Sequence, residues 1–242
     1  MESSASTDFL PTRWTVVVAA AAQQAPDERA RAALAELAQT YWYPLYAYIR
    51  RRGYEAAAAE DLTQEFFAQL IEKQFLATVN REKGRFRAFL LACVNHFLAN
   101  ERDRARAQKR GGTRKIISLD EGESRYATES RGRGADTMTP ERLFERRWAL
   151  AVLERVLQRL QIEYASAGRA SLFTALKETL TGSAAEGHAD IAAKLGMTAG
   201  AVKVAAHRLR GRYRDILRDE IAQTVATPED VAEEIAYLMK CL

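Results

Sequence analysis

Apolar residues along this chain recur at three- and four-residue spacing, which is the period of an α-helix. Between 60 and 72, Leu62, Phe66 and Leu70 repeat every four residues, as do Phe67 and Ile71, so this helix buries a broad face. Residues 41–52 concentrate aromatic side chains that belong largely to a core. In 81–110, Phe89, Leu90, Cys93 and Phe97 fall on one helical side. Thr139-Pro140-Glu141 reads as a helix start, with a hydroxyl N-cap, a proline at the first helical position and an acid in the first turn. The helix that follows is predicted to bury Leu150, Leu153, Leu157 and Leu160. A second start of this kind, Thr227-Pro228-Glu229, opens a tail helix with a stripe of Val231, Ile235, Leu238 and Leu242. Glu229, Asp230, Glu233 and Glu234 are expected on its opposite side, and the stripe is expected to pack on the second domain.

Between these helical blocks, 111–139 holds 5 of the 13 glycines and almost no periodicity, so it reads as a flexible tether. The resulting organisation is an N-terminal helical extension over 1–29, a domain over 30–110, the linker 111–139, a second domain over 140–226, and an acidic amphipathic helix over 227–242. The apolar run at 14–22 is read as a packed helix, because its flank carries Glu2 and Asp8 where a secretory leader needs bases.

Composition agrees with the periodicity. Alanine makes 44 of 242 residues, whereas valine and isoleucine together make 20. Alanine favours helix and β-branched residues favour strands, so the fold class is all-α: two small helical domains joined by a flexible linker. Cys93 and Cys241 are too far apart for a CxxC pair, which excludes a zinc ribbon or disulfide framework and fits the cytoplasm. No apolar stretch is long enough to span a bilayer, so no membrane insertion is expected.

The formal net charge of +4 conceals an uneven distribution. Residues 81–115 carry a local +8 and residues 200–218 a local +5, which leaves −9 for the remainder. Two basic segments on an otherwise acidic chain are the footprint of a polyanion partner.

Both segments also carry motif structure. In 188–213, Ile191, Ala192 and Leu195 give a short helix its apolar face, and Gly196 suits a tight turn. Thr198 then caps a second helix in which Val202, Ala205, Ala206 and Leu209 face inward. Lys203, His207, Arg208, Arg210 and Arg212 are left outward, an arrangement suited to a helix-turn-helix entering a major groove. In 81–110, bases alternate with Phe86, Phe89 and Phe97, as single-stranded nucleic acid requires; Phe86 and the loop before it are the exposed candidates. Asp61 and Glu65, one turn apart with Gln64 close by, lack a third ligand or an acid–base partner and read as a docking edge for a partner protein. No histidine has a histidine or cysteine four residues on, so no metal site and no cofactor are expected.

In this order, the aromatic helix at 41–52, D-L-T-Q-E-F-F at 61–67, the basic-aromatic helix, the tether and L-G-M-T-A-G-A-V-K at 195–203 resemble the extracytoplasmic-function class of bacterial RNA polymerase sigma factors. The resemblance covers about 30–110 and 141–225. It implies that Asp61, Leu62, Gln64 and Glu65 dock on a coiled coil of the polymerase's largest subunit. It assigns Arg81, Lys83, Arg85, Phe86, Arg87, Asn95, Asn100 and Arg102 to melted promoter DNA. Thr198, Ala199, Gly200, Lys203, His207, Arg208, Arg210 and Arg212 would read the upstream element as duplex. The implied partners are core RNA polymerase and promoter DNA, with room for an anti-sigma factor. The acidic tail is a candidate cover for a DNA-reading surface, in which case deleting 228–242 would raise promoter binding. Ala205 stands where the family commonly has a base.

The alternative is a stand-alone helix-turn-helix regulator, which would account for 188–213 but leave the docking and basic-aromatic helices unused. An enzyme is disfavoured, since no nucleophile–base pair, phosphate loop or ligand cluster occurs.

Overall fold

The structure, a computed structural model, describes residues 13, 14, 17, 28–71, 85–108, 126, 138–180 and 187–242. Among these the chain forms eight α-helices, one short 3-10 helix and no strand. The helices are α1 (Glu28–Arg51), α2 (Ala56–Ile71), α3 (Phe86–Gln108), α4 (Pro140–Ser166), α5 (Ala170–Leu176), α6 (His188–Leu195), α7 (Ala199–Ala222) and α8 (Glu229–Lys240). The all-α expectation therefore holds. The chain divides into two compact units, residues 1–151 with 221–242, and residues 152–220.

The first unit is built on aromatic side chains. Tyr41, Leu45, Tyr48 and Ile49 of α1, Phe66 and Leu70 of α2, and Phe86, Leu90 and Phe97 of α3 are buried. Phe144 and Trp148 of α4 join them, with Phe144 edge-on to Tyr48. The Trp14 ring packs on Phe86 and Phe89, each ring centroid 5.1 Å away, and its backbone N–H donates to the Gln223 carbonyl. Trp14 and Val17 thus belong to the core of this unit. The Thr139 cap forms as the sequence predicts: its Oγ1 accepts the Arg142 N–H at 3.3 Å.

Three sequence expectations change here. The buried side of α4 is Leu143, Phe144, Trp148, Val152, Val156 and Leu160, while Leu150 is exposed. The aromatic core recruits the larger rings one helical position away from the leucine stripe. The start of α4 accordingly belongs to the first unit, so the division differs from the expected domain over 140–226.

The tail also differs. Helix α8 belongs to the first unit, not the second, and the side it buries contains an acid. Val231, Glu234 and Leu238 are inside, whereas Leu242 is exposed. The reason is a buried cation. Arg87 donates from Nε to Glu234 Oε1 at 2.6 Å and from Nη2 to Oε2 at 3.2 Å, with both side chains under a tenth exposed. The same guanidinium lies 3.9 Å from the Tyr237 ring centroid and 5.3 Å from that of Trp148. Burial drags its pKa downward, but the Glu234 hydrogen bonds and the carboxylates around it outweigh that effect and raise it. Tyr237 in turn donates its O–H to Glu145.

The second unit is smaller. Val156 and Leu160 of α4, Phe173 and Leu176 of α5, Ile191 and Ala192 of α6, and Val202, Ala206 and Leu209 of α7 form its core. Glu220 accepts from Arg159 at 2.8 Å and pairs with Arg155 at 3.0 Å.

Most of the linker 111–139 lies outside the described residues, as do Arg81, Lys83 and most of 1–29. Within the linker, the Tyr126 ring stands edge-on to Tyr46, with Arg50 5.1 Å from its centroid.

Candidate nucleic-acid interface

In the second unit, α6 ends at Gly196, whose φ of 63° is the left-handed conformation that glycine adopts at little cost. Two residues later Thr198 caps α7: its Oγ1 accepts the Ala201 N–H at 3.2 Å. Val202, Ala206 and Leu209 are fully buried, which fixes the rotation of α7 and leaves Lys203, His207 and Arg208 exposed. Their side chains make no hydrogen bond or ion pair among the described residues. Ala199 and Gly200 are exposed at the N-terminal end, as predicted.

The five predicted basic contacts are not equivalent. Arg210 donates from Nε to the Thr179 carbonyl at 3.3 Å. Arg212 forms a bidentate pair with Glu163, both N···O distances being 2.8 Å. Those hydrogen bonds hold the Glu163 carboxyl below its usual range and raise Arg212. Arg212 thus bridges α4 and α7 in this structure, leaving the side chains of Lys203, His207 and Arg208 as the exposed polar group without a partner among the described residues.

In the first unit, the predicted single-stranded DNA contacts separate into two groups. Phe86 is fully buried, contrary to its expected exposure, because its ring packs on Trp14 and meets Tyr41 edge-on at 4.9 Å. Arg87 is buried against Glu234, and Arg85 is paired with Glu233 at 2.7 Å and with Glu234 at 3.3 Å. Phe86 and Arg87 build the core and the tail contact, and in this structure they are closed to a nucleic acid, whereas Arg85 stays a quarter exposed beside Glu233. Asn95 is half-buried, its Oδ1 accepting the Tyr48 hydroxyl at 2.7 Å.

Asn100 and Arg102 form the exposed group. Asn100 Nδ2 lies 3.3 Å from His96 Nδ1, and Arg102 donates from Nε to the Tyr54 hydroxyl at 3.2 Å. His96 and Tyr54 were not singled out from the sequence. His96 sits one turn before Asn100, which is a readable signal, but Tyr54 reaches Arg102 only through the turn between α1 and α2.

On α2, Gln64 and Glu65 are exposed, while Asp61 and Leu62 are half-buried. Glu65 accepts from Gln69 at 2.9 Å. Thr63 within the same turn is fully buried and donates to the Ala59 carbonyl at 2.6 Å, which turns its neighbours outward.

No group of three or more His, Cys, Asp or Glu side chains suited to a metal occurs among the described residues. No helix among them is long and apolar enough to cross a membrane. The chain matches no protein-family profile, no curated protein and no solved structure.

Proposed function

We propose that this chain is a cytoplasmic bacterial RNA polymerase sigma factor of the extracytoplasmic-function class, a binding protein without catalytic chemistry. The observation that carries the reading is the α6–Gly196–α7 hairpin. Its second helix presents the side chains of Lys203, His207 and Arg208 without partners among the described residues, in keeping with a helix-turn-helix whose later helix enters a major groove. The exposed Gln64–Glu65 edge with Asp61 supplies the polymerase contact, and Asn100 and Arg102 with His96 supply a polar surface for melted DNA. Binding by both surfaces offsets the few kcal/mol that each extruded base costs in lost stacking.

A stand-alone duplex-binding regulator is the second reading. It is favoured by one observation: Phe86 and Arg87 are buried inside the first unit, and Arg85 is paired with Glu233 and Glu234.

The test is co-elution of the purified chain with bacterial core RNA polymerase on a sizing column, repeated with Asp61→Lys. Co-elution that the substitution abolishes is expected. No co-elution, together with tight duplex binding by the chain alone, selects the regulator.

A further inference from the structure

The outward line of α7 opposite its buried edge consists of Gly200, Val204, His207 and Gly211, at steps of four, three and four residues. Val204 is 50% exposed on a helix whose other outward side chains are mainly cationic, with Lys203, His207 and Arg208 adjoining it. An isolated exposed valine is unremarkable in itself. Its setting is not, because the two glycines on the same line have no packing reason among the described residues. A Cβ added to Gly200 or Gly211 would meet no heavy atom within 4 Å among the described residues, and neither has a positive φ. Gly211, inside the helix, therefore weakens it relative to alanine without relieving a clash among the described residues, and Gly200 in the first turn does so to a smaller degree. A line of about 16 Å is thus kept bare at both ends, with one apolar side chain between them.

We propose that Val204 determines sequence specificity by packing against the C5-methyl group of a thymine in the major groove, while the bare glycine positions let the helix backbone approach the base edges. This deepens the proposed function and rests on it. Valine has no hydrogen-bonding group, so of the features exposed in the major groove only the thymine methyl can reward it. Its β-branched side chain holds one rotamer in a helix, so little freedom is lost on contact. Lys203 and Arg208 flank it and serve the phosphates.

The test begins by selecting the preferred duplex from a random library with the full-length chain, alone and with core polymerase. Each thymine of the selected site is then replaced by deoxyuridine, which removes only the methyl group, and competition binding is measured. One position is expected to weaken binding about fourfold in the wild-type chain, the weight of one buried methyl group. In Val204→Ala that position is expected to become insensitive, with every other position unchanged and the melting temperature kept, since the side chain is exposed. Selection of a site at which no thymine is sensitive, or sensitivity that survives in Val204→Ala, overturns the thymine contact and leaves the sigma reading standing. Failure to select any duplex overturns both.

Discussion

Glu234→Ala is the sharpest perturbation the fold offers. The substitution removes the carboxylate that accepts both hydrogen bonds of Arg87 and leaves a guanidinium that is 9% exposed in an aromatic surrounding. Breaking a buried pair from one side costs about 3–5 kcal/mol, because the remaining charge is desolvated without compensation. Two features place the cost near the lower end. Arg87 keeps Glu145 at 3.5 Å and the Tyr237 ring at 3.9 Å. For a unit of this size, about 3 kcal/mol lowers the melting temperature by roughly 6–12 °C. The assay is urea denaturation followed by tryptophan fluorescence, which reports on the first unit alone because Trp14, Trp42 and Trp148 all lie in it. Glu233→Ala is the internal comparison. Its carboxylate is 72% exposed, so the Arg85 pair contributes at most about 1 kcal/mol and fades with salt. The paired change Arg87→Met with Glu234→Leu should recover most of the loss, since no buried charge remains. A loss below about 1 kcal/mol in Glu234→Ala, or equal losses at Glu233 and Glu234, would refute the argument that α8 is held by a buried charge pair.

Five further outcomes follow from the same geometry. Removal of 228–242 should lower the stability of the first unit by at least as much as Glu234→Ala, measured by the same denaturation; a truncation as stable as the full chain would return the tail to a merely covering role. Gly196→Ala should cost about 1–2 kcal/mol in the second unit, read by circular dichroism, because its φ of 63° is strained for any residue with a Cβ. Arg208→Ala should weaken duplex binding and reduce its salt slope by about one, whereas Arg212→Ala should do less because Glu163 already holds that guanidinium; equal effects would count against the division of roles on α7. The Glu163 carboxyl is held below its ordinary value of 4.5, so its stabilisation is complete above that pH and is lost as pH falls through the lowered value. Glu163→Gln should flatten acid unfolding only slightly, since the pair is exposed, and a large change would contradict that. Burial and the Glu145 hydrogen bond push Tyr237 up to about 12, so its contribution holds below pH 10 and is lost as pH rises toward 12; ultraviolet titration against Tyr237→Phe checks it.

Local signals in the sequence determined a good deal of this protein. Helical periodicity, the alanine excess, the Thr139 cap, Gly196 and the Thr198 cap all depend on residues within a few positions of one another, so they are legible without tertiary context. Most of the inward face of α7 was legible for the same reason, with Val202, Ala206 and Leu209 buried at helical spacing, while Ala205, expected inward with them, is only half-buried. What only the tertiary structure decided concerns residues whose character is ambiguous alone. Arg85 and Arg87 look like nucleic-acid contacts because cations are normally solvated, yet their carboxylates arrive from about 150 positions further along the chain. Glu234 reads as part of an exposed acidic face because an unpaired carboxylate avoids burial, and only the approach of Arg87 reverses that preference. Phe86 was assigned to the surface from its basic neighbours, whereas Trp14 and Tyr41, distant in sequence, enclose it. The same distinction separates Arg208 from Arg212: both are outward arginines on one helix, and only the position of Glu163 shows which is already committed. Periodicity specifies which side of a helix is apolar; the partner that compensates a charge is chosen by the fold.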